Sequence, residues 1–152
     1  TIVTGCDIAI AAEDATFGLS EVNFGHFPGG EVTTVLTEQL QPKHALFYAL
    51  TGQTFTAREA ERIGLITKVV PHADLDKETS AIVNNLLQKD SIALKAVKEA
   101  WYYTFYSNPD VAYEISTLVS ERVTKDHGGR PGIRQFAGKE YRPGLGVDKL
   151  DK

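Results

Sequence analysis

The sequence runs to 152 residues, enough for one ordinary domain with its own core. A formal charge of -4, with 42% apolar and 24% charged residues, gives no general attraction to nucleic acid or to an anionic membrane. The single cysteine, Cys6, excludes an internal disulfide and fits a reducing, cytoplasmic compartment, and no apolar run reaches the roughly 18 residues of a membrane span.

The chain opens inside an apolar stretch, Thr1–Ala12, with no cap or charged leader, and it contains no methionine. The expectation is therefore the C-terminal part of a longer protein. Asp7–Ala12 predicts a buried strand, since Ile8 to Ala11 run without a polar break. Glu13-Asp14 predicts a turn, Thr16–Gly18 a short extended piece, and Leu19–Gly30 a loop punctuated by Pro28-Gly29-Gly30. A helix is expected from about Gly30 to Leu40. A second begins at Pro42, a favoured first helical residue, and ends at Gly52. Thr56 and Glu59 have the spacing of a capping box for a short helix that stops at Gly64. Leu65–Val70 predicts a second strand, ended by Pro71.

The remainder predicts helices. Leu75–Lys89 carries Ile82, Val83, Leu86 and Leu87 on one stripe. Ile92–Tyr106 carries Val97, Trp101 and Phe105, and Val111–Thr124 carries Val111, Ile115, Leu118 and Val119. Gly128-Gly129 breaks the pattern, and Lys139–Lys152 reads as an extended, charged tail. Two short strands make a poor sheet alone, so more of the sheet is expected upstream.

Glu21 is the leading candidate for chemistry. It is a lone carboxylate on an apolar stretch, with Leu19, Val22, Phe24 and Phe27 close by and a Gly/Pro-rich turn behind it. Apolar surroundings disfavour the charged form of a carboxyl group. A carboxyl so tuned trades protons near neutral pH. The alternative is a surface glutamate at a turn. Thr1 invites comparison with an N-terminal nucleophile, although it enters a core-like segment. His26, His44, His72 and His127 share no metal spacing with one another or with Cys6, so no metal is expected. Gly128-Gly129-Arg130 reads as a helix break before it reads as a phosphate site. Tyr102, Tyr103, Tyr106 and Tyr113 either pack or line an aromatic pocket.

Three blocks in order resemble the crotonase (enoyl-CoA hydratase/isomerase) superfamily. They are Cys6–Ala11 followed by Ala15–Gly18; Ser20–Gly25 with Pro28-Gly29; and Thr51–Ala57 with Ala60 and Gly64–Pro71. The resemblance implies an α/β fold, the crotonase-like (ClpP/crotonase) β-β-α spiral. Residues 1–70 would supply its last strands and active-site loop, and 71–152 its helical trimerisation region and tail. It further implies a homotrimer or hexamer, chemistry on acyl-CoA thioesters, and an oxyanion hole from segments upstream of Thr1. No metal or redox cofactor is implied, and neither nucleic acid nor membrane is an expected partner.

Within the family, Glu21 matches the second of the two hydratase glutamates, while Thr1 stands where the first would be. One glutamate with a small hydroxyl residue at the other position resembles the hydroxycinnamoyl-CoA hydratase-lyases. So do Phe17–Glu21 with Asn23, Phe24 and Gly25, then Gly128-Gly129-Arg130 with Gln135-Phe136, and Pro143-Gly144-Leu145. The resemblance casts Glu21 as the catalytic acid–base. Thr1, Ser20 and Phe24 would contact substrate, Gly25 and Gly29 would let the loop approach it, and Tyr113 is the nearest candidate for a phenol contact. The expected reaction converts a 4-hydroxycinnamoyl-CoA such as feruloyl-CoA to an aromatic aldehyde and acetyl-CoA. Hydration or isomerisation of an aliphatic enoyl-CoA is the second possibility, and an inactive assembly module the third.

Overall fold

A computed structural model of the chain describes residues 2–29 and 32–126, without the side chains of 33 and 34. The chain divides between Ser80 and Ala81 into two compact units.

The first unit holds four short strands, β1 (Ile10–Ala12), β2 (Thr16–Gly18), β3 (Thr54–Thr56) and β4 (Lys68–Val70). They form two ladders. Strand β1 pairs parallel with β4, Ile10 opposite Lys68 and Ala12 opposite Val70. Strand β2 pairs antiparallel with β3, Thr16 opposite Thr56 and Gly18 opposite Thr54. Parallel strands need a crossover, and here it consists of β2, β3 and the helices α1 (Val32–Gln39), α2 (Pro42–Thr51) and α3 (Ala57–Arg62).

Both expected strands are shorter than predicted, for a hydrogen-bonding reason. The amides of Leu65 and Ile66 are committed to the carbonyl of Ala60, at 2.9 and 3.3 Å, so they leave the strand line. The Thr67 hydroxyl then accepts the Ala9 amide at 3.1 Å in place of a ladder carbonyl. The Thr67 amide donates to Ala9 O at 2.8 Å. The ladder runs only from Ile10 and Lys68 onward. Strand β3 was not predicted.

The helix signals read from sequence are present. Pro42 opens α2, and Gly52 caps its end with φ 62°, a left-handed conformation natural for glycine. The Thr56 hydroxyl accepts the Glu59 amide at 3.2 Å and caps α3. The core lies among Ala11, Leu36, Leu40, Ala45, Phe55, Ile63, Ile66 and Val69, with Ala57 and Ala60 fully enclosed. Phe55 stacks on Phe17 of the partner strand, ring centroids 6.0 Å apart, and meets Tyr48 of α2 in a tilted contact at 4.1 Å.

Helix α4 (Leu75–Leu87) contains the division between the units. In the second unit, α5 (Ser91–Phe105) packs on α6 (Pro109–Asp126). Asp90 caps α5 by accepting the Ala93 amide at 2.7 Å, and the Asn108 side chain accepts the Val111 amide at 3.0 Å. The buried positions of the pair are Ala96, Ala112 and Val119. Arg122 closes a fork on the Glu99 carboxylate, at 2.9 and 2.5 Å. The predicted stripe Val97, Trp101 and Phe105 is exposed instead of buried, as are Val111 and Leu118. The expected position Val119 is buried, and with Ala96 and Ala112 it takes the contact while the other large side chains named here stay outside. On α4, Val83, Leu86 and Leu87 are likewise exposed. No helix among the described residues is long and apolar enough to cross a membrane.

Candidate active site

Glu21 follows directly on the β2–β3 ladder. Leu19 packs against the core, and the chain then turns through a 3₁₀ segment, Glu21–Phe24. The Asn23 amide donates to Ser20 O at 3.0 Å, the Gly25 amide to Val22 O at 3.2 Å, and the His26 amide to Glu21 O at 3.0 Å. Gly25 closes the segment at φ 73°, where a side chain would be strained. Glu21 is thus half-buried at the head of a tight turn.

The turn is tied down on its far side as well. The Asn23 side-chain amide donates to the carbonyl of Gly52 at 3.2 Å. Gly52 is the cap of α2, and the next residues form β3, the partner of β2. Strand, turn, helix end and strand make a closed circuit, so Glu21 is fixed from both directions. Residues 23 and 52 are remote in sequence, and no local pattern marks them as neighbours.

The expected apolar enclosure of Glu21 is only partly present. Leu19 and Val22 are half-buried, but Phe24 and Phe27 are 75% and 78% exposed. A 3₁₀ turn repeats every three residues, which sets Phe24 on the same side as Glu21. The core takes Leu19 and Pro28 from this loop and leaves both rings outside. Ser20 is exposed and its hydroxyl makes no capping bond to the turn. A Cβ on Gly25 or Gly29 would meet nothing within 4 Å, so space within the chain does not restrict either position.

Ser20, Glu21, Phe24 and Gly25 therefore share one turn, with Gly29 just beyond it. Tyr113 lies on α6 in the second unit and is 76% exposed. Thr1, Gly128-Gly129-Arg130, Gln135-Phe136 and Pro143-Gly144-Leu145 lie outside the described residues. Among the described residues no three His, Cys, Asp or Glu side chains converge as a metal site needs.

A charged cluster sits behind the β2–β3 ladder. Arg62 donates to both oxygens of Glu59, at 2.6 and 2.7 Å, and the Tyr48 hydroxyl donates to one of them at 3.0 Å. The Arg62 bonds, reinforced by the Tyr48 bond, hold the Glu59 carboxyl down to about 2, against partial burial that opposes them. Desolvation, with the bond to Glu59, pushes the Tyr48 phenol up. Asp14 is held below the usual carboxylate range by its hydrogen bond to His72. Sequence spacing pointed to Glu59 as the second half of a capping box; its carboxylate is engaged by Arg62 and Tyr48 instead. In the second unit a groove of about 290 Å³ lies along α5 and α6, lined by Glu99, Tyr103, Ile115, Leu118, Val119 and Arg122.

Residues 1–142 match the profile of the enoyl-CoA hydratase/isomerase family. The chain belongs to this family. It is 36% identical over 149 residues to a hydroxycinnamoyl-CoA hydratase-lyase of Pseudomonas fluorescens, covering 94% of this chain and 53% of that protein. It is 37% identical over 123 residues to a probable enoyl-CoA hydratase of Mycobacterium bovis, covering 80% of this chain and 48% of that protein. The crystal structure of an enoyl-CoA hydratase of Mycobacterium smegmatis superposes with a TM-score of 0.85 at 28% identity, over 91% of this chain and 53% of that one. The fold is the crotonase fold, an α/β architecture, and this chain carries part of it. It spans about half the length of the curated relatives it matches.

Proposed function

We propose that this chain forms part of a CoA-thioester hydratase-lyase in which Glu21 is the catalytic acid–base. The observation that carries this reading is the half-buried Glu21 carboxylate, held at the head of a turn anchored at both ends. Similarity to the P. fluorescens hydratase-lyase over nearly the whole chain favours the lyase reaction.

The proposed substrate is a 4-hydroxycinnamoyl-CoA such as feruloyl-CoA. In the first step Glu21 orients a water and takes its proton as the oxygen bonds to the β-carbon. Glu21 then gives a proton to the α-carbon, so a β-hydroxy thioester results and the carboxylate is restored. In the second step Glu21 takes the β-hydroxyl proton. The Cα–Cβ bond breaks, its electron pair moves to the thioester as an enolate, and an aldehyde leaves. Glu21 returns its proton to the α-carbon of the enolate, which gives acetyl-CoA and restores the carboxylate. The substrate's para-hydroxyl assists the first step, because its quinone-methide form makes the β-carbon electrophilic. The enolate oxygen calls for backbone N–H donors, which the family pattern places before Thr1. Ser20 and Phe24 are the proposed pocket walls, and Gly25 and Gly29 the open backbone beside the ligand. Thr1 is a proposed contact, and Tyr113 is proposed to reach the phenol of a neighbouring copy's substrate across a subunit contact. The proposed reaction proceeds by proton transfers with C–O bond formation and C–C cleavage in the substrate, and asks for no metal or redox cofactor. We place it in the cytoplasm, on the strength of the single cysteine.

The exposed aromatic face of α5, with Trp101, Tyr102, Phe105 and Tyr106, supports assembly into a homotrimer or hexamer. A second reading, hydration or isomerisation of an aliphatic enoyl-CoA, is favoured by similarity to the M. bovis and M. smegmatis hydratases.

Incubating the natural gene product with feruloyl-CoA tests the proposal. Vanillin and acetyl-CoA appearing together are expected. A hydroxyacyl-CoA without aldehyde would indicate a hydratase. Turnover of crotonyl-CoA or a 3-enoyl-CoA, with feruloyl-CoA untouched, would transfer the assignment to the second reading.

A further inference from the structure

We propose that Asn23 is a positioning residue that sets the Glu21 carboxylate by latching its turn to the end of α2; this rests on Glu21 being the acid–base. The latch has two matched halves. Asn23 gives its side-chain N–H to the Gly52 carbonyl at 3.2 Å. Gly52 in turn provides the seat. A Cβ there would stand 2.5 Å from Asn23 Oδ1 and 2.8 Å from its Cγ and Nδ2. The amide occupies the place of a side chain, so glycine at 52 answers both to φ 62° and to the presence of Asn23.

The latch reaches Glu21 through very few bonds. Asn23 is two residues away in the same 3₁₀ turn, and its own amide donates to Ser20 O at 3.0 Å, on the other side of Glu21. A shift of Asn23 therefore moves both flanks of the glutamate. Phe24, Gly25, His26 and Phe27 are all exposed, so between Val22 and Pro28 the Asn23 bond is the tie that joins the turn to another element. General acid–base catalysis depends steeply on placement, and an error near 1 Å can cost about a hundredfold. Substrate binding depends on it far less.

The experiment uses the natural gene product and whichever of feruloyl-CoA or crotonyl-CoA it turns over. Asn23→Ala removes the latch. Asn23→Asp keeps its shape but has no N–H to give. Gly52→Ala fills the seat. Each should lower kcat roughly tenfold to a hundredfold while KM stays within about twofold. Both parts of the pair act on one contact, so Asn23→Ala with Gly52→Ala should lose no more than the worse single variant. Active-site titration and thermal melting separate misplacement from unfolding. A kcat per folded site equal to wild type in Asn23→Ala and Asn23→Asp would overturn the inference. So would losses that multiply in the double variant, or a change confined to KM. Glu21→Gln is the companion control. If it abolishes turnover while the Asn23 variants keep theirs, only the positioning role fails. If it keeps full turnover, the acid–base assignment itself fails.

Discussion

Glu21 differs from an ordinary loop glutamate in how many hydrogen bonds hold the backbone around it. Four residues fold into one turn, Gly25 closes it in the left-handed region, and Asn23 ties it to Gly52. In the proposed acid–base role, such a carboxylate would start each proton transfer from one place. Replacing it by glutamine keeps the volume and removes the proposed base. Glu21→Gln should lower kcat by about a thousandfold, within the range general acid–base groups supply, with KM little changed. Steady-state assays beside a binding titration with a non-hydrolysable CoA ester check this, and retained turnover would remove Glu21 from the chemistry. The position of Glu21 was legible in the sequence because its punctuation is local: Gly25, Pro28 and Gly29 follow within eight residues. Its surroundings were not. Phe24 and Phe27 are apolar and near in sequence, yet the core has room for Leu19 and not for them. Asn23 carries no such signal, since nothing local announces a bond to residue 52.

At the scale of elements, signals carried by two or three neighbouring residues were readable. Thr56 is the example, a hydroxyl three residues before the amide it caps. Thr56→Ala should cost about 1 kcal/mol, seen as a lower denaturant midpoint at unchanged slope, and Thr56→Ser should restore most of it. Features that depend on what lies opposite were not readable. Strand β3 is three residues long, too short for an alternating pattern, and exists because β2 lies beside it. Glu59 satisfies the spacing of a capping box, but Arg62 offers a two-pronged, charge-assisted partner one turn on, and the carboxylate takes that instead. A pH dependence follows. The folded pKa of about 2 lies below the ordinary 4.5, so the cluster's contribution is fully present above about pH 4.5. It is lost as pH falls from there toward about 2. Asp14 and Glu99 are shifted in the same direction, so the discriminating quantity is a difference. The melting temperature of the wild type should fall more steeply with acidification than that of Glu59→Gln. Equal slopes would show that ionisation of Glu59 adds nothing to stability.

For the whole molecule, the spacing rule identified the stripes and misassigned what they face. Val97, Trp101 and Phe105 recur every four residues, which in a lone domain means a core. Here α5 meets α6 through Ala96, Ala112 and Val119, and Trp101 remains 62% exposed with its ring stacked on Phe105 at 5.2 Å. A sequence shows that a face is apolar, but not whether the covering surface belongs to the same chain. The two-stranded ladders pose the same question, since two strands alone are marginal. The proposed assembly makes a definite claim about the aromatic face. Trp101→Lys alters a residue outside the α5–α6 contact, so the helix pair and its Glu99–Arg122 fork should survive, with helical circular dichroism unchanged. If another copy covers this face, a buried charge opposes the contact and the sedimentation coefficient should drop to that of smaller species. Raising the protein concentration should then partly restore the larger one. An unchanged sedimentation profile would place the subunit contact elsewhere and leave the exposed aromatics of α5 outside the assembly.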